Sequence, residues 1–234
     1  MQKKVVLFAV CVFALLIQAE VFAQADTVAV DTLRSRYVPT GIRIGFDAIG
    51  PIKSSIQDDF SGWEVQADVD FDRYFLAVEY GSWERNFASD LARYANDGRY
   101  WRAGIDVNFL RNDPDRNAFT LGARYGRSLF SETMDISRED PVWGTLSDRF
   151  SQSDVSSSWL ELTAGLRVRI WKVLWMGYTG RFKFGLSTRG NTDMLPHDVP
   201  GYGITNKETT WGFNYYLMLR LPVRNAPPPP EKRK

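Results

Sequence analysis

Between residues 63 and 71 the chain alternates without a break: Trp63, Val65, Ala67, Val69 and Phe71 are apolar, and the intervening Glu64, Gln66, Asp68 and Asp70 are polar. A repeat of two residues is that of a β-strand, in which successive side chains point to opposite faces. Wound into a helix, the same residues would scatter their apolar groups around the circumference and leave no face to bury. The stretch folds only as a strand with one oily and one charged side.

The alternation recurs. It predicts eight strands, over residues 41–50, 63–71, 74–83, 100–109, 118–127, 158–170, 174–186 and 210–223. In the sixth, Leu160, Leu162, Ala164, Leu166 and Val168 oppose Glu161, Thr163, Gly165 and Arg167. The fold class is all-β, and the expected architecture is an eight-stranded antiparallel up-and-down transmembrane β-barrel.

Soluble barrels alternate too, with the apolar face inward. Two features favour the membrane version. The strands run to about ten residues, whereas soluble strands average about 5–6 and a tilted transmembrane strand needs about 9–11. The connections also alternate. They are long after the first, third, fifth and seventh strands, above all over residues 129–157 and 187–209, and short at 72–73, 111–117 and 171–173. Short periplasmic turns and long outer loops characterise outer-membrane barrels. Aromatic residues gather near strand ends: Phe71, Tyr74, Phe109, Phe119 and Trp171 toward the short turns, and Trp63, Trp83, Trp101, Trp159 and Trp211 toward the long loops. Such rings form girdles at lipid–water boundaries.

The chain opens with Lys3 and Lys4, an apolar run over residues 5–17, and Val21-Phe22-Ala23. This is the pattern of a secretory signal peptide over residues 1–23. The run is shorter than the roughly 20 residues of a membrane-spanning helix. Residues 24–39 are expected to be a flexible periplasmic segment, 40–224 the barrel, and 225–234, with four consecutive prolines, an extended periplasmic tail. The single cysteine, Cys11, lies in the leader, so the exported chain has no disulfide and no sulfur ligands. The leader takes with it two lysines and one glutamate, leaving acids and bases in balance. That balance speaks against nucleic acid, which requires a basic patch.

In a membrane barrel the polar face fills the lumen. The lumen set is Arg43, Asp47, Glu64, Asp68, Glu79, Arg102, Asp106, Arg124, Glu161, Arg167, Arg181 and Arg220, with Asp70, Arg169 and Lys183 on the same faces. Unpaired buried charge is costly, so these residues are expected to form a structural ion-pair network. Eight strands enclose room only for side chains or one small ligand, which predicts a plugged lumen rather than a pore. Catalytic, metal and cofactor sites are not expected. The one histidine, His197, lies in the last long loop beside Asp198, with Ser187 upstream, and this spacing is not diagnostic.

The stretches Thr210-Trp211-Gly212-Phe213-Asn214-Tyr215-Tyr216, Gly41-Ile42-Arg43-Ile44-Gly45-Phe46-Asp47 and Pro200-Gly201-Tyr202-Gly203 resemble an uncharacterised family of small outer-membrane barrels from Bacteroidetes, with an OmpA/OmpX-type architecture. Gly212, Tyr215 and Leu217 further resemble the signal that barrel insertion machinery reads on closing strands, which makes that machinery an expected partner. The resemblance implies fold and location and supplies no activity; the proline-rich tail departs from it.

The leading reading is a non-enzymatic outer-membrane barrel in contact with lipid, structural or binding a surface partner through residues 129–157 and 187–209. One alternative is a lipid- or envelope-modifying enzyme using loop residues near His197. Another is a soluble, lipocalin-like periplasmic binder.

Overall fold

The computed structural model describes residues 39–223, apart from residues 72, 90, 111–112, 114, 141, 143, 191–194 and 206–207. The leader expected at 1–23, nearly all of the 24–39 segment and the tail expected at 225–234 lie outside the described residues.

The strands are β1 (Gly41–Asp47), β2 (Phe60–Phe71), β3 (Tyr74–Ala88), β4 (Ala92–Asn108), β5 (Ala118–Asp140), β6 (Gly144–Trp171), β7 (Leu174–Arg189) and β10 (Thr209–Pro222). Helix α1 (Ile49–Ile56) follows β1. Two short strands, β8 (Asp198–Val199) and β9 (Gly203–Ile204), pair with each other between β7 and β10. The eight long strands form one closed barrel, and β10 returns to pair antiparallel with β1 from Gly41↔Pro222 to Asp47↔Tyr216.

The barrel faces the opposite way from a soluble one. Ile44, Val78, Leu166 and Leu219 are exposed on the outside, while Arg43, Asp68, Glu79, Arg102 and Glu161 are buried inside. From residue 160 to residue 170 every outward side chain of β6 is apolar. Ten residues at about 3.3 Å each, tilted by about 40°, give a band about 25 Å tall, the height of a lipid-facing belt. Among the described residues no helix is long and apolar enough to cross a membrane; the crossing elements are strands. A lipocalin-like binder needs an apolar interior, so that alternative falls.

Four expectations change. The first strand ends at Asp47 rather than residue 50, because Pro51 has no N–H to give a ladder and suits the first turn of α1. Residues 129–157 are not a loop: β5 and β6 continue as a paired hairpin as far as Asp140↔Gly144, interrupted by a bulge near Phe130. The 187–209 segment is not wholly outside: Val199 and Tyr202 are buried in a cluster at the barrel mouth. Trp159 and Trp83 also leave the proposed girdle. Both are in phase with inward residues, and Trp159 is 0% exposed.

Candidate functional site

The interior contains two linked charge clusters. In the upper one, Arg102 on β4 and Arg181 on β7 reach three glutamates. Arg102 pairs with Glu64, with Glu79 at 2.9 Å and with Glu161 at 3.4 Å. Arg181 pairs with Glu79 at 3.0 Å and Glu161 at 2.9 Å, and donates to Asn214 Oδ1 at 2.6 Å and Tyr216 Oη at 2.8 Å. Glu64 also accepts hydrogen bonds from the hydroxyls of Tyr100, at 2.6 Å, and Tyr216.

In the lower cluster Asp106 takes a forked pair from Arg124, at 2.7 and 2.8 Å, and a third bond from Arg167 at 2.9 Å. Asp68 pairs with Arg43 at 2.8 Å, and Asp70 with Arg220 at 3.4 Å. The guanidinium groups of Arg43 and Arg167 lie 4.3 and 4.9 Å from the ring of Phe75. Arg124 approaches Glu79 at 3.6 Å and joins the clusters. Forked, multiply bonded pairs are what offset the cost of taking so many charges out of water.

Eleven of the twelve residues singled out in the sequence take part in these two clusters. Asp47 stands apart. Its carboxylate accepts the N–H of Tyr215 at 2.9 Å and of Gly50 at 3.1 Å, pinning β10 and the start of α1. Arg169 is not in the lumen; it lies exposed at the short-turn rim and pairs with Asp115.

An aromatic cap closes the outer mouth. Tyr100, Phe130, Val155 and Trp159 on the walls pack with Val199 and Tyr202 from the β7–β10 connection. Trp159 Nε1 donates to Glu161 at 2.6 Å, tying cap to network. Gly201 has φ +79°, a conformation that favours glycine, and a Cβ there would strike the Tyr100 ring. Lys183 Nζ donates to the carbonyls of Gly201 at 2.8 Å and Tyr202 at 3.1 Å. Farther out, Asn96 Nδ2 donates to the Asp198 carbonyl at 2.8 Å, and Tyr94 Oη donates to Glu132 at 2.8 Å. Burial and the Glu132 charge hold the Tyr94 hydroxyl well above its ordinary range. The Asp198 carboxylate is buried and meets Arg85 at 3.0 Å. Burial raises its pKa against the opposing pull of Arg85.

Sequence reasoning missed Tyr94, Asn96, Glu132 and Gln152 as inward residues. Their signal is phase: Tyr94, Asn96, Gly98 and Tyr100 continue the inward face of Arg102. The outer alternation fails there, because Arg93, Asp97 and Arg99 on the outward face are charged.

The His197 constellation is not assembled. The His197 ring packs edge-on to Tyr94 at 5.4 Å, Asp198 turns to Arg85, and the Ser187 hydroxyl bonds that of Ser158 at 3.0 Å. Among the described residues no group of three His, Cys, Asp or Glu could hold a metal ion.

The chain is similar to Ail, the attachment invasion locus protein of Yersinia pestis, with TM-score 0.40 and 10% identity over 78% of this chain and 97% of that one. It is similar to Neisserial surface protein A, with TM-score 0.39 and 14% identity over 79% and 95% of the two chains. It is also similar to CarO2 of Acinetobacter baumannii, with TM-score 0.39 and 14% identity over 79% and 99%. No curated protein matches the sequence. A family model does match, over residues 3–226, and the chain belongs to that family, described as Domain of unknown function (DUF6048).

Proposed function

We propose that this chain is an outer-membrane barrel with a non-conducting lumen, a rigid membrane base that presents the outer part of the β5–β6 hairpin to a surface partner. The observation that carries the reading is the pairing of an apolar exterior with an interior filled by ion pairs and closed by the Tyr100–Trp159–Tyr202 cap. Beyond the lipid-facing band, residues 144–151 of β6 are all exposed, with Leu146 and Phe150 among them. Exposed apolar side chains on a paired, ordered hairpin suit recognition. The 187–209 segment contributes less, because its centre is spent on the cap. The network residues serve this role structurally, as filler and cross-brace. The glycine and spaced hydrophobics of β10 sit on the strand that closes the barrel against β1, where insertion machinery would engage. Among the described residues nothing around His197 favours the enzyme alternative, since its neighbouring acid and serine are engaged elsewhere.

The test is protease treatment of intact cells combined with planar-bilayer recording. Trypsin is expected to cut at Arg138 or Arg149 and leave the barrel core whole, and the purified protein is expected to give no conductance steps. Cleavage only after the outer membrane is broken, or steady open-channel current, would refute the reading.

A further inference from the structure

Where β1 stops, the barrel wall stops with it. β1 pairs with β2 as far as Phe46↔Val65 and with β10 as far as Asp47↔Tyr216. Beyond those points β2 runs on outward through residues 60–64 and β10 through residues 209–215, each still paired on its far side. α1 covers the β2 side of the gap: the Gly62 N–H donates to Ser54 Oγ at 3.0 Å. On the β10 side, Asp47 and Ala48 serve Tyr215. Its N–H donates to Asp47 at 2.9 Å, and its carbonyl accepts the Ala48 N–H at 2.8 Å. In an antiparallel ladder the polar backbone groups of every second residue point the same way. Trp211 and Phe213 therefore aim theirs at the space β1 has vacated.

A cavity of about 400 Å³ opens at this gap. Trp63, Trp211 and Phe213 flank its outer side, with Trp211 73% exposed. Lys53 on α1, Glu64, Lys183 and Asn214 line its inner part. Open strand edges are not left facing hydrocarbon, and tryptophans mark headgroup depth. The window thus belongs at the level of outer-leaflet headgroups, with a polar chamber behind it.

The charges of the chamber favour an anion. Its carboxylates are already engaged: Asp47 by two backbone N–H groups, and Glu64 by Tyr100, Tyr216 and Arg102. Lys53 Nζ instead lies 3.8 Å from the ring centre of Phe60 and 5.6 Å from that of Trp83. Burial, and then the nearby Arg85 charge, lower its pKa against the smaller opposing pulls of Asp198 and Asp59. Lys183 Nζ uses two of its three protons on the Gly201 and Tyr202 carbonyls.

We propose that this lateral window binds a phosphorylated lipid of the outer leaflet, with the anionic headgroup inside against Lys53 and Lys183 and an acyl chain leaving between Trp63 and Trp211. The inference rests on the membrane-barrel reading above. It is tested on the full-length protein folded in detergent, with heat-modifiable gel mobility as the check on fold. Dihexanoyl phosphatidate, dihexanoyl phosphatidylcholine and inorganic phosphate are titrated separately by calorimetry. One equivalent of phosphatidate is expected to bind, phosphatidylcholine at least about tenfold more weakly, and phosphate not at all. Lys53→Gln should weaken phosphatidate about tenfold, the loss of one charge-assisted hydrogen bond. Gly212→Leu should abolish binding by filling the chamber, since a Cβ there would lie 3.3 Å from the flexible Lys183 Nζ. If Gly212→Leu lost the heat shift, Lys53→Gln would decide alone.

Equal binding of phosphatidylcholine, or unchanged affinity in folded variants, would overturn the site and leave only lipid around the barrel wall. Phosphate binding as tightly as phosphatidate would make the ligand a free anion and overturn the lipid. Absence of a heat shift in the unaltered protein would instead overturn the barrel reading on which the site depends.

Discussion

Asp106 shows how single residues hold the interior. Two bonds from Arg124, one from Arg167 and a contact from the Thr163 hydroxyl at 3.3 Å converge on it. Asp106→Ala leaves two buried guanidinium groups short of a partner, which costs about 3–5 kcal/mol. Asp135→Ala removes an exposed pair with Arg149 on the hairpin, worth about 0–1 kcal/mol. Urea unfolding of the two variants in lipid vesicles is expected to show this contrast. Asp198 behaves differently. Its raised pKa means the docked loop binds a proton more readily than the undocked one, so docking is favoured below the ordinary carboxylate range and weakened as pH rises through the raised value. Proteolysis within residues 195–205 is therefore expected to slow on acidification from neutral pH. The lumen charges were legible in the sequence because each falls in phase with polar neighbours on its strand. The inward aromatics were not. Trp159 and Trp83 share that phase, but a tryptophan near a strand end suits a lipid boundary equally well until its partners are known.

Among the elements, the eight strands were legible where lipid and lumen impose opposite faces. β2 from residue 63 to 71 is the clearest case. The outer extensions were not legible, because above the membrane water meets much of both faces and the alternation disappears, while the backbone ladder continues. β3–β4 and β5–β6 thus extend through polar sequence by register alone, as in Arg85↔Asn96 and Ser137↔Ser147. A short helix after β1 was hidden for a similar reason: α1 has no buried residue to give it a pattern. The outer hairpin should be separable from the barrel. Replacing residues 137–147 with Asn-Gly would close the pair Ile136↔Asp148 with a two-residue turn. The shortened chain is expected to keep its heat-modifiable mobility and its urea midpoint, and to lose trypsin cleavage at Arg138. A collapse of the midpoint would show that the projection supports the fold.

For the whole molecule, the governing fact is the direction in which the two faces point. With lipid outside, the apolar side chains need no core, and the interior must neutralise itself. The glutamate, aspartate and arginine clusters do this across the lumen. The most direct test places spin labels along β6 of the vesicle-embedded protein and measures collision with dissolved oxygen, which concentrates in lipid, and with a water-soluble nickel chelate. Labels at Leu162, Ala164 and Leu166 are expected to be oxygen-accessible and chelate-shielded, and a label at Thr163 to be shielded from oxygen. Oxygen accessibility at Thr163 with shielding at its neighbours, or chelate access throughout, would contradict the account.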